Sequence, residues 1–189
     1  MPVVSCQLLV KPVENWQLTT DNLKKTVYLS LGSNVGDRQS NLEAAIARLG
    51  ELGEVKAVSS FYETEPVEVA AQPWFLNCAL ALETEMMPRR LLGRILAIEQ
   101  AMGRRRLQLK GPRPIDIDIL LFGNSVVDTR ELTIPHPALH ERRFVLEPLS
   151  EIAGDVRHPV FKRTMRELRD ALPRDAGVVR KIDRLHKDR

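Results

Sequence analysis

Two aspartates in the segment GPRPIDIDILLFG (111–123) have a type and a spacing that could bind a metal ion. Isoleucines alternate with Asp116 and Asp118, which is the period of a β-strand. Side chains two residues apart on a strand point to the same face, roughly 6–7 Å apart along the chain. Neighbouring carboxylates repel each other unless water or a cation lies between them. The pair therefore offers oxygen ligands for one Mg²⁺, or for two ions that also bind phosphate oxygens.

A cluster of basic residues lies directly upstream of this acidic pair. Its members are Arg104, Arg105, Arg106, Lys110 and Arg113. One guanidinium group can bind two phosphate oxygens at once, and a metal ion held by carboxylates neutralises the charge of further oxygens. A short D-x-D pattern by itself is more often a solvated strand face, and an arginine cluster by itself is as often a surface loop. The two features together favour a nucleotide triphosphate as the ligand.

The elements predicted around these motifs follow the order β-α-β-β-α-β. The strands are predicted over Thr26–Asn34, Glu54–Thr64, Trp74–Thr84 and 115–123, and the helices over 40–50 and 88–103. We expect Ser40 and Glu43 to form a capping box at the start of the first helix. A last helix is predicted over Phe161–Leu172. The order predicts an α+β, ferredoxin-like sandwich in which helices cover one face of a mainly antiparallel sheet.

The composition is that of a single globular domain in a reducing compartment. The chain has 189 residues, of which 43% are hydrophobic and 28% charged, and a net charge of +3. No apolar stretch approaches the ~20 residues that cross a bilayer, and the start lacks the basic region of a signal peptide. Two cysteines are too few for a disulfide framework, so we expect a cytoplasmic protein. We expect an extension over 1–24, one domain over 25–175 and a basic tail over 176–189.

Five segments, in order along the chain, resemble those of the 6-hydroxymethyl-7,8-dihydropterin pyrophosphokinase family. They are VYLSLGSNVGDRQSNL, SSFYETEPV, QPWFLNCALALET, GPRPIDIDILLFG and IPHPALHERRFVLEPLSEIAGD. The resemblance runs from about Thr26 to Asp155. It implies a ferredoxin-like enzyme of tetrahydrofolate biosynthesis that transfers pyrophosphate from ATP, its co-substrate, to the hydroxymethyl group of the pterin and releases AMP. It also implies that two Mg²⁺ ions take part.

The resemblance implies roles for individual residues. Asp116 and Asp118 correspond to the metal ligands, and Arg104 and Arg106 to a basic catalytic loop. The positions that correspond to the nucleotide site are Leu92, Arg113, Thr133, His136 and Arg142. The positions that correspond to the pterin site are Thr64, Val67, Phe75, Asn77 and Phe144. The two phenylalanines would stack on the flat heterocycle, whereas without the resemblance they would be interpreted as core residues.

Two other functions stay open at this point. Lys110 and Glu131 depart from the family pattern, as do Leu96 and Glu65, so the chain could be an inactive relative kept for its interactions. Ferredoxin-like sheets also bind RNA, and the basic tail RKIDRLHKDR would suit a phosphate backbone. The sequence lacks an aromatic-rich RNA-binding pattern, however, and the acidic pair would repel RNA. We therefore expect a monomeric enzyme that binds ATP and the pterin, with no nucleic-acid or membrane partner.

Overall fold

A computed structural model describes residues 24–65, 72–104, 111–173 and 179–182. The strands are β1 (Lys25–Ser33), β2 (Glu54–Val58), β3 (Phe61–Thr64), β4 (Phe75–Thr84), β5 (Asp116–Phe122), β6 (Val127–Asp128), β7 (Thr133–Ile134) and β8 (Val179–Ile182). The helices are α1 (Arg38–Gly50), α2 (Pro88–Ala101), α3 (Arg143–Ala153) and α4 (Met165–Asp170). None of the helices in these ranges is long and apolar enough to span a membrane. The predicted site residues Val67 and Arg106, and the predicted extension up to residue 23, lie outside the described residues.

Six strands form the central sheet in the order β5-β1-β4-β3-β8, with β2 also paired to β4. Every pairing in it is antiparallel. Strand β1 lies between β5, the last strand of the predicted β-α-β-β-α-β unit, and β4, the strand before it in that unit, which is the ferredoxin-like arrangement. The predicted fold class is therefore confirmed. β6 and β7 form a separate two-stranded ribbon.

The single strand predicted over Glu54–Thr64 is two strands, β2 and β3, which both pair with β4. Ser59 lies between the two strands, and its backbone N–H and its hydroxyl take the place of part of the hydrogen-bond ladder between strands. Its N–H donates to Ala79 O at 2.9 Å, and its hydroxyl accepts from Ala79 N at 2.9 Å. The side chain thus satisfies buried backbone groups where the strand bends away.

Helices cover both faces of the sheet, and the prediction of one covered face is wrong. Helices α1 and α2 pack on one face, against side chains that include Leu80, Leu82 and Ile117. Helices α3 and α4 pack on the other face, against Ala79 and Leu120. Because β4 is buried on both faces, its apolar run is nearly continuous instead of alternating. No helix was predicted over 143–153, because Pro148 lies inside this helix and proline disfavours helix interiors.

The N-cap of α1 and the first residue of α4 differ from those predicted. Helix α1 begins two residues earlier than expected, so its N-cap is Asp37, whose carboxylate accepts hydrogen bonds from Ser40 N at 3.0 Å and Ser40 Oγ at 2.7 Å. The predicted partner Glu43 instead accepts from Gln39 Nε2 at 2.9 Å. A capping box does occur at α4, formed by Thr164 and Glu167. The residues before Thr164, which the prediction placed in that helix, are not helical.

Strand β8 lies within the segment predicted as a basic tail. It pairs with β3 over four residues, Phe61–Thr64 against Val179–Ile182. The sheet therefore extends beyond the four strands of the ferredoxin-like unit, next to the strand that carries Thr64.

The cap of α1 allows a direct test of which residue starts the helix. Replacing Asp37 with Ala should lower the free energy of unfolding by about 1 kcal/mol, because the amide of Ser40 loses its acceptor. The measurement is urea unfolding followed by circular dichroism. Glu43→Ala is the matched control and should be close to neutral, since Glu43 makes only an exposed contact. Equal losses in the two variants would favour the Ser40–Glu43 box instead.

Candidate active site

The strand register brings the predicted metal and pterin residues to one face of the sheet. In β1, Gly32 is paired with Asn77 of β4 on one side and with Asp116 of β5 on the other. Two residues along, Ser30 is paired in the same way with Asp118. Directly paired residues share a face of a sheet, so the amide and both carboxylates lie on the α3 side. The small residues of β1 form the floor between them.

The polar end of the site is a buried contact between two strands. The Asn77 amide donates from Nδ2 to Thr64 Oγ1 at 2.7 Å, and the two residues are 4% and 2% exposed. A Cβ atom at Gly32 would lie 2.6 Å from Asn77 Oδ1 and 3.6 Å from the Phe75 ring. Glycine is therefore required here by the close approach of the Asn77 carbonyl. The polar edge that the sequence predicted for the pterin is held rigidly by its neighbours.

Asp116 is bound by two arginines that sequence analysis assigned to the phosphates. Arg104 Nη1 lies 2.7 Å from Asp116 Oδ1, and Arg113 Nη2 lies 2.5 Å from Oδ2. All three side chains are about four-fifths buried. A charge pair of this kind is stronger than one in open water because the local dielectric is lower. Two cations therefore lie directly beside the predicted metal ligand.

Glu99 contacts Arg104 and the backbone of β5 next to Asp116. It was not predicted as a site residue. It is 2% exposed, forms a short ion pair with Arg104, and accepts a hydrogen bond from Ile117 N at 2.8 Å. Burial raises the pKa of its carboxyl, against the hydrogen bond from Ile117 and the charge of Arg104, which lower it. Glu99 follows Leu91 and Ile95 on the buried side of α2, and a carboxylate in such an apolar stripe is the sequence signal that something pairs with it.

Asp118 faces a histidine across the site. His136 Nε2 lies 4.0 Å from Asp118 Oδ2, while Nδ1 accepts a hydrogen bond from Ala138 N at 3.2 Å. With Nδ1 acting as an acceptor, the ring proton of the neutral imidazole is on Nε2 and points towards the carboxylate. Burial lowers the pKa of His136. Burial, and then the charge of Asp116, raise the pKa of Asp118.

The two predicted aromatic residues lie on different elements of the same face. Phe75 begins β4, with the Arg113 guanidinium carbon 5.6 Å from its ring centroid. Phe144 lies in the first turn of α3, with the Arg142 guanidinium carbon 5.6 Å from its ring centroid. Both rings are partly exposed. Each predicted aromatic wall thus has a cation from the predicted nucleotide side next to it.

Two other predicted nucleotide residues lie apart from this cluster. Leu92 packs against the core on the face of α1 and α2, opposite to the aspartates. Thr133 belongs to β7 and its hydroxyl lies 3.5 Å from Asp128 Oδ1. Glu131, which departs from the family pattern, pairs with Arg89 at 3.1 Å, and both side chains are exposed. The three residues therefore contact the core, Asp128 and Arg89, respectively.

The oxygen ligands of the site fit a hard divalent cation whose remaining ligands come from water and from a substrate. Within the described ranges, no group of three or more histidine, cysteine, aspartate or glutamate side chains could hold a metal ion. Two carboxylates on one face supply oxygen ligands, and the side chain of Asp118 is 44% exposed. Mg²⁺ characteristically binds through one or two carboxylates, with water and phosphate oxygens as its other ligands. Burial, and then the charge of Asp116, raise the pKa of Asp118, and a cation bound between the two carboxylates would relieve the repulsion between them.

Comparison with known proteins identifies related chains. A family model described as 7,8-dihydro-6-hydroxymethylpterin-pyrophosphokinase matches residues 28–154. The chain is 42% identical over 144 residues to the 2-amino-4-hydroxy-6-hydroxymethyldihydropteridine pyrophosphokinase of Aquifex aeolicus, covering 76% of this chain and 90% of that protein. It is 43% identical over 136 residues to the Bacillus subtilis protein of that name, covering 71% of this chain and 81% of that protein.

Longer relatives and solved structures match over part of their length. The chain is 44% identical over 151 residues to the Folic acid synthesis protein fol1 of Schizosaccharomyces pombe, covering 79% of this chain but only 21% of that protein. A crystal structure of wild-type Plasmodium falciparum HPPK-DHPS with pteroate has a TM-score of 0.65 at 16% identity, covering 78% of this chain and 44% of that chain. At this identity the structural likeness shows the fold alone.

The close approach at Gly32 leads to a specific prediction. Gly32→Ala should push the Asn77 amide away from Thr64 and lower the free energy of unfolding by about 1–3 kcal/mol, the usual cost of overpacking a rigid site. Thermal unfolding of the variant measures this cost. Gly93→Ala is a suitable control, because no atom lies within 4 Å of a Cβ at that helical position. An unchanged melting temperature for Gly32→Ala would mean that the Asn77 side chain is free to move.

Proposed function

The chain belongs to the 7,8-dihydro-6-hydroxymethylpterin-pyrophosphokinase family, and from this premise we propose how its residues carry out the family's reaction. The chain transfers pyrophosphate from ATP to the hydroxymethyl group of 6-hydroxymethyl-7,8-dihydropterin in folate biosynthesis. The observation that carries the residue assignment is the register of β1. It puts Asn77 and Asp116 on opposite sides of Gly32, so that an acceptor site and a phosphate site adjoin on one face.

The pterin binds between the partly exposed rings of Phe75 and Phe144. Aromatic rings stack on flat heterocycles with their faces offset. Asn77 and Thr64, already hydrogen-bonded to each other, provide the oxygen and nitrogen atoms that bind the polar edge of the pterin, together with backbone groups near Val67. A buried amide in this position discriminates strongly, because a ligand without matching polar groups would leave it unpaired.

The triphosphate of ATP binds above the aspartates. Asp116 and Asp118 would hold two Mg²⁺ ions, and these would supply charge neutralisation at the phosphate oxygens. Arg104 and Arg113, which are bound to Asp116 in the structure, provide guanidinium groups for the phosphates, as does Arg106. Arg142, whose guanidinium lies beside the Phe144 ring, completes the nucleotide site, whereas Leu92 and Thr133, which lie apart from the aspartates, stay predictions from the resemblance.

The reaction displaces AMP from the β-phosphorus of ATP. The hydroxymethyl oxygen of the pterin forms a bond to this phosphorus, the bond from phosphorus to the oxygen shared with the α-phosphate breaks so that AMP leaves with that oxygen, and the hydroxyl proton passes to water. Positioning and charge neutralisation account for most of the acceleration of such transfers. His136 has its proton on the nitrogen that faces Asp118. It therefore acts as a hydrogen-bond donor to the phosphates rather than as a base.

The chain acts as a monomer in the cytoplasm and needs no nucleic acid or membrane. These remain predictions from the sequence. Size-exclusion chromatography with light scattering measures the oligomeric state. Salt-dependent RNA binding in the absence of magnesium would contradict the absence of a nucleic-acid partner.

The central experiment is AMP formation from ATP and Mg²⁺, with and without 6-hydroxymethyl-7,8-dihydropterin. We expect AMP only with the pterin and the metal ion, and no turnover after chelation with EDTA. Asp118→Asn should abolish turnover while leaving the protein folded. AMP formation at near-normal rates by this variant would count heavily against the proposed metal site.

The stability of Asp118→Asn is the matching control for folding. The raised pKa of Asp118 means that the folded state binds this proton more tightly than the unfolded state. The free energy of unfolding of the wild type therefore falls as the pH rises through that pKa. The amide side chain of the variant does not titrate, so the variant does not lose stability in this way. Its free energy of unfolding relative to the wild type should therefore increase with pH. Urea unfolding across the acidic to neutral range measures the difference.

Arg104 should matter more for the chemical step than for binding. Arg104→Ala removes a cation beside Asp116 and should lower kcat on the order of 100-fold, the usual effect of losing one donor to developing charge, with a smaller change in the KM for the pterin. Steady-state kinetics separate the two constants. Arg89→Ala serves as the control, since Arg89 also pairs with a carboxylate but is exposed. Equal losses in kcat and in pterin affinity would mean that Arg104 only assists binding.

A further inference from the structure

Strand β8 lies at the edge of the sheet next to the proposed pterin pocket, formed by Phe75, Phe144, Asn77 and Thr64. Its pairing with β3 sets Arg180 opposite Glu63 and Lys181 opposite Tyr62. Because successive residues of a strand point to opposite faces, the side chains of Arg180 and Lys181 leave the sheet on opposite sides. One short strand can thereby contact structures on both faces.

Arg180 contacts the residue that precedes Phe75. Its guanidinium carbon lies 5.2 Å from the centroid of the Trp74 ring, within the range of a cation–π interaction. Arg38, at the start of α1, donates from Nη1 to Trp74 O at 2.8 Å and pairs through Nη2 with Glu63 at 2.8 Å. Two arginines from distant parts of the chain thus hold Trp74, and with it the backbone that enters Phe75.

Lys181 contacts the helix that carries Phe144. Its Nζ lies 3.5 Å from Glu151 Oε1 on α3. The Glu151 carboxylate also accepts hydrogen bonds from Tyr62 Oη at 2.8 Å and from Ser60 Oγ at 2.9 Å. Glu151 therefore fastens α3 to β3, and Lys181 adds a cation to this junction from β8.

A second attachment lies beside Phe144 itself. Arg143 donates from Nη2 to the carbonyl oxygens of Leu172 and Pro173 at 3.1 and 3.0 Å and pairs through Nη1 with Glu147 at 2.7 Å. Its side chain is 17% exposed. The chain segment that leads towards β8 is thus anchored at the first turn of α3.

We propose that β8 is a positioning element for the pterin pocket, in which Arg180 fixes the Phe75 wall through Trp74 and Lys181 fixes the Phe144 wall through Glu151. This inference rests on the proposed function, because it takes these two rings as the walls that enclose the pterin. Neither Arg180 nor Lys181 touches the substrate. Since β5 and its aspartates lie at the opposite edge of the sheet, the positioning acts on the pterin and not on ATP.

The test compares Arg180→Ala, Lys181→Ala and the double variant in steady-state kinetics. We expect each single change to raise the KM for the pterin about 3-fold and the double change about 10-fold, in keeping with exposed cation–π and ion-pair contacts. The kcat and the KM for ATP should stay within about two-fold of the wild type. Arg180→Lys should restore most of the pterin affinity, because an ammonium group also binds the face of an indole ring.

Lys56→Ala is the matched control, because it removes another exposed ion pair of the sheet, with Glu54 at 3.0 Å, far from either wall. It should leave all constants unchanged. A pterin KM for the double variant less than about two-fold above the wild type would overturn the inference, as would an equal rise in the KM for ATP. If Arg180→Ala fails to fold, Arg180→Gln, which keeps the length of the side chain, is measured in its place by the same criteria.

Failure of the proposed function gives a different result. In that case the wild-type chain forms no AMP at any pterin concentration, which overturns the inference together with its premise. A normal wild-type rate combined with unaltered pterin constants in the β8 variants overturns the positioning role alone.

Discussion

The repulsion between two carboxylates on one face of β5 is the constraint on which the rest of the site depends. Asp116 is paired with Arg104 and Arg113 at 2.7 and 2.5 Å, whereas His136 lies 4.0 Å from Asp118, and burial and the charge of Asp116 raise the pKa of Asp118. A site built in this way has two neighbouring carboxylates that are paired unequally and two guanidinium groups that can exchange a carboxylate for a phosphate. It is therefore suited to gather a metal ion and a polyphosphate together.

Small residues of β1 determine how close the two halves of the site can be. Gly32 separates Asn77 from Asp116, and the Asn77 carbonyl occupies the space where a side chain would otherwise be. The proposed acceptor site and the proposed phosphate site therefore adjoin across a single strand. Such closeness favours transfer, because the reacting atoms of two bound substrates must approach to about 3–3.5 Å.

The walls of the site depend on contacts between elements that are far apart in the chain. Phe75 belongs to the sheet and Phe144 to a helix packed on it, so their spacing is set by how α3 docks. Glu151 makes that docking specific, since its carboxylate accepts hydrogen bonds from both Ser60 and Tyr62 of the sheet. Polar contacts of this kind add geometric definition to an interface that apolar packing alone would leave less constrained.

The sequence by itself determined the alternation that puts Asp116 and Asp118 on one face, the order of the ferredoxin-like elements and the family. These features are local or carried by contiguous motifs, because the pleat of a strand fixes the directions of residues two apart. The tertiary structure alone decided that Glu99 lies under Arg104 and that helices cover both faces. It also decided that residues 179–182 join the sheet. Each of these depends on the docking of segments that are distant in sequence, and no local period encodes which buried carboxylate or edge strand a distant segment will meet.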